Sequence, residues 1–222
     1  MQPEATPAAR PTAKPLDKQS PTFRRFGYPI LKACAWILLT LLGPFKRVGH
    51  YRVPKKGGVL VLSNHQADID PVAVQLACPR PIYFMAKSEL WDMKFVRTFL
   101  NWFHAFPVRR GEPDKGAIRK AVDLLKSGEV VCVFPEGELS ETGELLPLKP
   151  GVALIVRMAQ VPVICLGIQG TRRIMPYGSM IPRPAFHMVT ATWGEPHIFS
   201  KEDDTEKMLS WVEGQLKSLL TN

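Results

Sequence analysis

The sequence predicts an α/β fold: a single domain whose mostly parallel or mixed sheet is flanked by helices, with an apolar helical segment ahead of it. Three observations carry this reading. From Gly57 onward, short apolar runs alternate with longer amphipathic ones, the pattern of strands interleaved with helices. The 222 residues are 45% hydrophobic and 22% charged, enough for one well-filled core and too few for two. Phe26 to Phe45 is apolar almost throughout and stands apart from the alternation that follows it.

Residues 1–22 carry prolines at positions 3, 7, 11, 15 and 21 among Ala, Thr, Lys and Gln, and are expected to be a disordered tail. They do not read as a secretory signal, because the apolar stretch begins far from Met1 and no small-residue cleavage site follows it. Residues 23–47 read as a membrane-associating helical segment. Only 13 residues separate Lys32 from Lys46, whereas a perpendicular crossing takes about 20, so a single span is marginal. A monotopic helix lying in the interface fits the length. Arg24, Arg25, Lys32, Lys46 and Arg47 would then be drawn to an anionic leaflet. The alternative is a helix that covers the domain's own core. The expected location is the cytoplasmic face of a membrane, monotopic or single-span.

Residues 48–222 are expected to form the domain itself. Strands are predicted near 58–63, 82–86, 129–134, 162–168 and 186–193, and helices near 71–77, 89–103, 114–127, 150–159 and 203–220. Gly128 is a helix stop, and Asp203-Asp204 places negative charge at the start of the last helix. Cys34, Cys78, Cys132 and Cys165 are scattered without paired spacing, which suggests reduced thiols.

A net charge of +9 favours an anionic partner. No nucleic-acid-binding signature accompanies it, so nucleic acid is not expected, and an anionic membrane lipid or a phosphorylated substrate is. No phosphate-binding glycine loop occurs.

The chemistry concentrates in Asn64-His65-Gln66-Ala67-Asp68-Ile69-Asp70-Pro71, directly after the apolar run Val59-Leu60-Val61-Leu62. A histidine there can take a proton from an alcohol near neutral pH, and a carboxylate can orient its ring. Two carboxylates compete for that role. On one regular helix Asp68 would lie about 60° from His65 and Asp70 about 140° away. Asp70-Pro71, however, reads as a helix start, so a turn before it can bring His65 back onto Asp70. Asp70 can also serve simply as the helix N-cap. Phe134-Pro135-Glu136-Gly137 follows a second strand, and ligands in open α/β sheets bind beyond the carboxyl ends of strands. Glu136 can be a general acid or an oxygen ligand for magnesium, although no metal site is expected.

Asn64-His65, four residues and Asp70 resemble the Asn-His-x-x-x-x-Asp box of the glycerolipid acyltransferases, of the 1-acylglycerol-3-phosphate type. The resemblance continues in order through Phe106-Pro107-Val108-Arg109-Arg110-Gly111, Phe134-Pro135-Glu136-Gly137, Lys149-Pro150-Gly151 and Val161-Pro162-Val163, covering roughly residues 48–198. It implies His65 as general base with Asp70 as its orienter, and Arg110 as phosphate ligand with Arg109 as a close competitor. Glu136, Gly137, Lys149 and Asn64 would belong to the acceptor site, with Arg172 and Arg173 as further phosphate or coenzyme A contacts. The third block departs from the family's Phe-Pro-Glu-Gly-Thr at Glu138, whose carboxylate would repel a phosphate unless it points away or the head group carries a cation.

The implied activity is transfer of a fatty acyl group to the sn-2 hydroxyl of 1-acylglycerol-3-phosphate, giving phosphatidic acid. Acyl-CoA or acyl carrier protein would be co-substrate, without any bound cofactor. The alternatives are another lysophospholipid acceptor, or a non-catalytic peripheral protein that binds anionic lipid.

Overall fold

The structure, a computed structural model, describes residues 27–109, 114–179 and 181–221. The expected tail at 1–22, together with Arg24 and Arg25, lies outside the described residues. Seven strands, β1 (Phe45–Val48), β2 (Val59–Ser63), β3 (Ile82–Lys87), β4 (Ala105–Val108), β5 (Val130–Val133), β6 (Val163–Gln169) and β7 (Val189–Trp193), form one mixed sheet in the order β1-β7-β6-β2-β5-β3-β4. Only the β6–β7 pairing is antiparallel.

Alternate residues of the central strands feed two cores. On one face Leu60, Leu62, Val131 and Cys165 pack against helices α4 (Lys115–Lys126), α5 (Gly151–Ala159) and α7 (Thr205–Thr221). On the other, Val59, Val61, Cys132 and Ile164 meet α1 (Tyr28–Leu42) and α2 (Asp70–Ala77). Every residue of β2 is buried, as expected for a central parallel strand covered on both faces.

The five predicted strands are present, and β1 and β4 are additional. Both are edge strands of four residues. β4 contains Pro107, which an edge accepts because one side of the ladder needs no donor there. β1 begins at Phe45, inside the segment expected to associate with a membrane, and so ties the end of that segment to the sheet. The helix expected at 89–103 is divided into a 3₁₀ turn, Ser88–Asp92, and α3 (Lys94–Trp102) by the extended backbone of Met93. A short α6 (Thr171–Ile174) follows β6.

Helix α1 has two unlike sides. Tyr28 and Leu39 are buried against the domain, while Ile30, Ile37, Leu38 and Leu41 are 58–74% exposed. With Ala33 and Cys34, also exposed, they form a continuous outward apolar stripe at helical spacing. Lys32 points the other way. Its ammonium donates to the Cys78 carbonyl at the end of α2 (2.5 Å), so it is not one of the outward charges expected to flank a membrane segment. Burial holds its pKa below the ordinary value. Gln75 of α2 also bonds the Tyr28 hydroxyl, and Arg47 stacks over Trp36 at 4.7 Å. Among the described residues no helix is long and apolar enough to cross a membrane, and α1 has 15 residues. The single-span option therefore has no helix to support it.

Because Lys32 closes the carbonyl end of α2, Lys32→Met is expected to lower stability by about 1–2 kcal/mol, a charged hydrogen bond less the relieved desolvation. Urea unfolding should show a lower midpoint at unchanged slope.

Candidate active site

Strand β2 ends at Ser63, and the chain turns sharply through residues 64–69 before α2 begins. The turn is built around one oxygen. Asp70 Oδ2 accepts the Gln66 N–H (2.6 Å), the Ala67 N–H (2.8 Å) and, at 3.0 Å, pairs with His65 Nδ1. Both side chains are buried, Asp70 completely and His65 to 6% exposure. This arrangement fixes the tautomer: Nδ1 carries the proton toward the carboxylate, leaving Nε2 as the free base. Nε2 has no hydrogen-bond partner among the described residues.

Asp70 is thus the partner of His65, and Asp68 lies exposed on the rim of the turn. Asp70 is not an N-cap. Ile69 holds that position, with no side-chain cap, because the Asp70 carboxylate is turned back into the preceding loop. Its second oxygen, Oδ1, is buried and unpartnered among the described residues.

The histidine is supported from three more directions. The Phe134 ring stacks on the imidazole at 4.0 Å, tilted by 18°. The His65 N–H donates to Glu136 Oε1 (2.7 Å), and the His65 carbonyl accepts the Ser140 N–H (3.0 Å). The other Glu136 oxygen accepts the Leu146 N–H at 2.8 Å. Glu136, 1% exposed, is therefore a strut that joins His65 to the loop 136–146. Burial raises its pKa above the ordinary 4.5, an effect opposed by the two N–H bonds.

Asn64 is likewise turned inward. Its amide donates to the Ile168 carbonyl (2.9 Å) and accepts the Ile168 N–H (2.7 Å), extending the β2–β6 ladder with a side chain. Gln66 also bonds the Ile168 carbonyl. Gly137 has φ +76°, a conformation that favours glycine, and a Cβ there would crowd the Lys149 chain at 3.1 Å. The Lys149 N–H bonds the Pro135 carbonyl (2.7 Å), and its ammonium is 3.5 Å from the Glu138 carboxylate. Glu138 thus points to solvent with a cation beside it. An exposed pair of this kind contributes little to stability, but it offsets the charge at the departure from the family pattern.

The second block is only partly visible. Arg109 is 82% exposed, with its Nε 3.7 Å from Asp114, and Arg110 and Gly111 lie outside the described residues. Arg172 bonds the Glu141 carbonyl, which holds the loop 139–144, and Arg173 is exposed. An open groove of about 730 Å³ runs beside the catalytic turn, lined by Asp68, Glu138, Thr142, Leu146, Tyr177 and Gly178.

Among the described residues no cysteine or serine side chain is hydrogen-bonded to His65. Cys78, Cys132 and Cys165 are buried free thiols. Burial pushes the Cys78 thiol up to about 11, that of Cys165 to about 12, and that of Cys132 well above its ordinary value. Ser63 Oγ donates to the Asn64 carbonyl (3.2 Å), and Ser140 Oγ to that of Glu144 (2.6 Å). The imidazole is oriented by Asp70, and neither serine hydroxyl is directed at it. Among the described residues, no three His, Cys, Asp or Glu side chains gather in a way that could hold a metal ion.

A family model described as Acyltransferase matches residues 45–169, more than half of the chain and the whole run from β1 to β6. The chain belongs to the acyltransferase family. This membership, with the oriented base, sets aside the reading of a non-catalytic lipid-binding protein. The acyltransferase is 34% identical over 135 residues to a 1-acyl-sn-glycerol-3-phosphate acyltransferase of Bacillus subtilis, covering 60% of this chain and 67% of that one. It is 28% identical over 130 residues to the protein of the same name from Borreliella burgdorferi, covering 57% and 52%. The chain spans from about a third to two thirds of the length of the curated relatives it matches. Its fold is that of the 1-acyl-sn-glycerophosphate (LPA) acyltransferase PlsC from Thermotoga maritima. The TM-score is 0.76 at 24% identity, over 93% of this chain and 84% of that one.

The residues that sequence reasoning did not single out are Phe134 as the ring platform, and Ile168 and Leu146 as main-chain partners. Phe134 stood inside a recognised block, but nothing in its spacing shows a stack with His65. Ile168 reaches Asn64 only because β6 pairs with β2, a long-range adjacency that local patterning does not reveal.

Proposed function

We propose that this acyltransferase moves a fatty acyl group from acyl-CoA or acyl carrier protein to the sn-2 hydroxyl of 1-acylglycerol-3-phosphate, giving phosphatidic acid at a membrane surface. The observation that carries the reading is the buried His65–Asp70 pair with Nε2 left open and no competing nucleophile beside it, in a chain resembling enzymes of that name.

His65 Nε2 takes the proton of the acceptor hydroxyl as its oxygen attacks the thioester carbonyl. Asp70 stabilises the imidazolium that forms. The tetrahedral intermediate then collapses, the C–S bond breaks, and the departing thiolate takes the proton back from Nε2. No acyl-enzyme is formed. A base of this kind contributes about 10²- to 10⁴-fold, and holding the hydroxyl near the thioester supplies much of the rest. The second block supplies that hold. A guanidinium fork suits a phosphate monoester, and Arg110 is assigned the contact, with Arg109 beside it. Glu136, Gly137 and Asn64 act through the shape of the site, holding His65 and the turn that faces it.

Helix α1 is the membrane contact. Its outward stripe would be an unfavourable surface in water and is suited to the leaflet boundary, with the helix lying parallel to the bilayer.

Arg110→Ala is expected to raise the acceptor KM about ten- to a hundred-fold, the worth of a charged hydrogen-bond pair, with a much smaller change in kcat. Initial rates over a series of 1-acylglycerol-3-phosphate concentrations measure this. An unchanged KM would move the phosphate contact to Arg109 or elsewhere.

A further inference from the structure

Helix α1 is not the only apolar surface turned outward. The connection between α6 and β7 carries Tyr177, Ile181, Phe186 and Met188, which are 47%, 77%, 90% and 54% exposed. Phe186 is the most exposed large hydrophobic side chain among the described residues and sits at φ +50°, a left-handed conformation costly for a bulky residue. The backbone on both sides of it is anchored. The Ala185 N–H bonds the Leu42 carbonyl (2.8 Å) at the end of α1, and the Val189 N–H bonds the Pro44 carbonyl (2.7 Å). A Cβ on Gly43 would meet the His187 carbonyl at 2.6 Å, so the two segments run in close contact. The strained residue is therefore held in place by the chain at the end of α1, with its ring exposed.

The charge on these segments has one sign. No Asp or Glu occurs from Gly27 to Ala67, nor from Leu145 to Gly194. The segments bring exposed Lys46, Arg47, Arg173 and Arg183 to the neighbourhood. Asp68, Glu138 and Glu141 are the acids that face Tyr177, and they line the groove of which Tyr177 and Gly178 form part of the wall. One connection thus borders the groove at its start and the C-terminal end of α1 at its end.

We propose that this connection is a second bilayer-insertion element: Ile181, Phe186 and Met188 enter an anionic leaflet beside α1, so that the groove opens at the lipid surface. The proposal rests on the membrane-surface reading of α1 and adds to it a route for the acceptor. A lysophospholipid held in the leaflet would pass Tyr177 and Gly178 to reach the catalytic turn without its acyl chain crossing open water. Apolar contact supplies the insertion, and each basic residue near an anionic surface adds about five-fold to binding.

The test uses the full chain carrying Cys34→Ser, in which the remaining cysteines, Cys78, Cys132 and Cys165, are buried. A single environment-sensitive NBD label is placed at Phe186→Cys, and in a companion protein at Leu38→Cys. Each is mixed with phosphatidylcholine vesicles containing phosphatidylglycerol. Both labels are expected to brighten several-fold and shift to the blue. A label at 38 that enters while the label at 186 stays aqueous overturns the second insertion point and leaves α1 standing. If neither label enters, the membrane reading beneath it is overturned as well. Independently, an Ile181→Ser/Phe186→Ser protein with unchanged Tm should bind those vesicles about ten-fold more weakly or worse. It should lose activity on vesicle-borne acceptor while keeping it on a short-chain, water-soluble 1-acylglycerol-3-phosphate. Unchanged vesicle binding would overturn the proposal.

Discussion

His65→Ala is expected to lower kcat/KM for acyl transfer by at least about a thousand-fold while the protein stays folded. The two halves of that result have separate causes. Activity falls because the substitution removes Nε2, the ring nitrogen that the Asp70 pairing orients and that no described residue occupies. The fold survives because the interactions that hold the turn use other atoms. The His65 N–H still bonds Glu136, its carbonyl still accepts from Ser140, and Asp70 Oδ2 still receives the Gln66 and Ala67 N–H groups. What is lost structurally is the ring over Phe134 and one hydrogen bond to Asp70. Steady-state rates beside a thermal melt measure both halves. Full activity in a folded His65→Ala protein would remove His65 from the mechanism.

Glu136→Ala should have the largest effect on stability, about 2–4 kcal/mol, and should reduce activity through His65. Both carboxylate oxygens accept main-chain N–H groups in a buried site, so truncation leaves two donors unpaired and a void beside the catalytic turn. The carboxyl also gives a pH signature. Its folded pKa is raised above 4.5 by burial, so folding takes up a proton in the window that begins there. That contribution is fully present below the unfolded pKa and is lost as pH rises through the folded one. Glu136→Gln removes the titration and leaves one N–H facing an amide. The Tm of the wild type relative to Glu136→Gln should therefore decline across that window as pH is raised. A difference that does not change with pH would show that Glu136 titrates alike in both states.

The interior of this fold is legible in its sequence because buried parallel strands are written as apolar runs. Val59-Leu60-Val61-Leu62 and Val130-Val131-Cys132-Val133 announce β2 and β5, and the ends of both runs lead to the site. The edges are harder to read. β1 is Phe-Lys-Arg-Val with its last three residues exposed and looks like the end of the apolar helix before it, and β4 carries a proline that argues against a strand. At the site, spacing leaves Asp68 and Asp70 open, and Asp70 is preferred only when the Asp70-Pro71 helix start is joined to the resemblance of the Asn64-His65 to Asp70 box and the later blocks to the glycerolipid acyltransferases. That the same oxygen would gather His65 and two N–H groups follows from a turn conformation that spacing does not determine. Asn64, Glu136 and Lys32 show the larger difficulty. Each is a polar side chain of a type usually met at the surface, and each is turned inward to satisfy main-chain groups that become neighbours only after the sheet has formed.

The central claim is that His65 deprotonates the alcohol of a lysophospholipid, which takes the acyl group directly from the thioester. Product analysis tests it most directly. The purified full chain is incubated with 1-acylglycerol-3-phosphate and a donor labelled in its acyl group, acyl-CoA in one reaction and acyl carrier protein in another. The account predicts labelled phosphatidic acid in at least one reaction, with thiol release that depends on the acceptor. Thiol release at the same rate without acceptor, and no labelled phosphatidic acid in either, would contradict it.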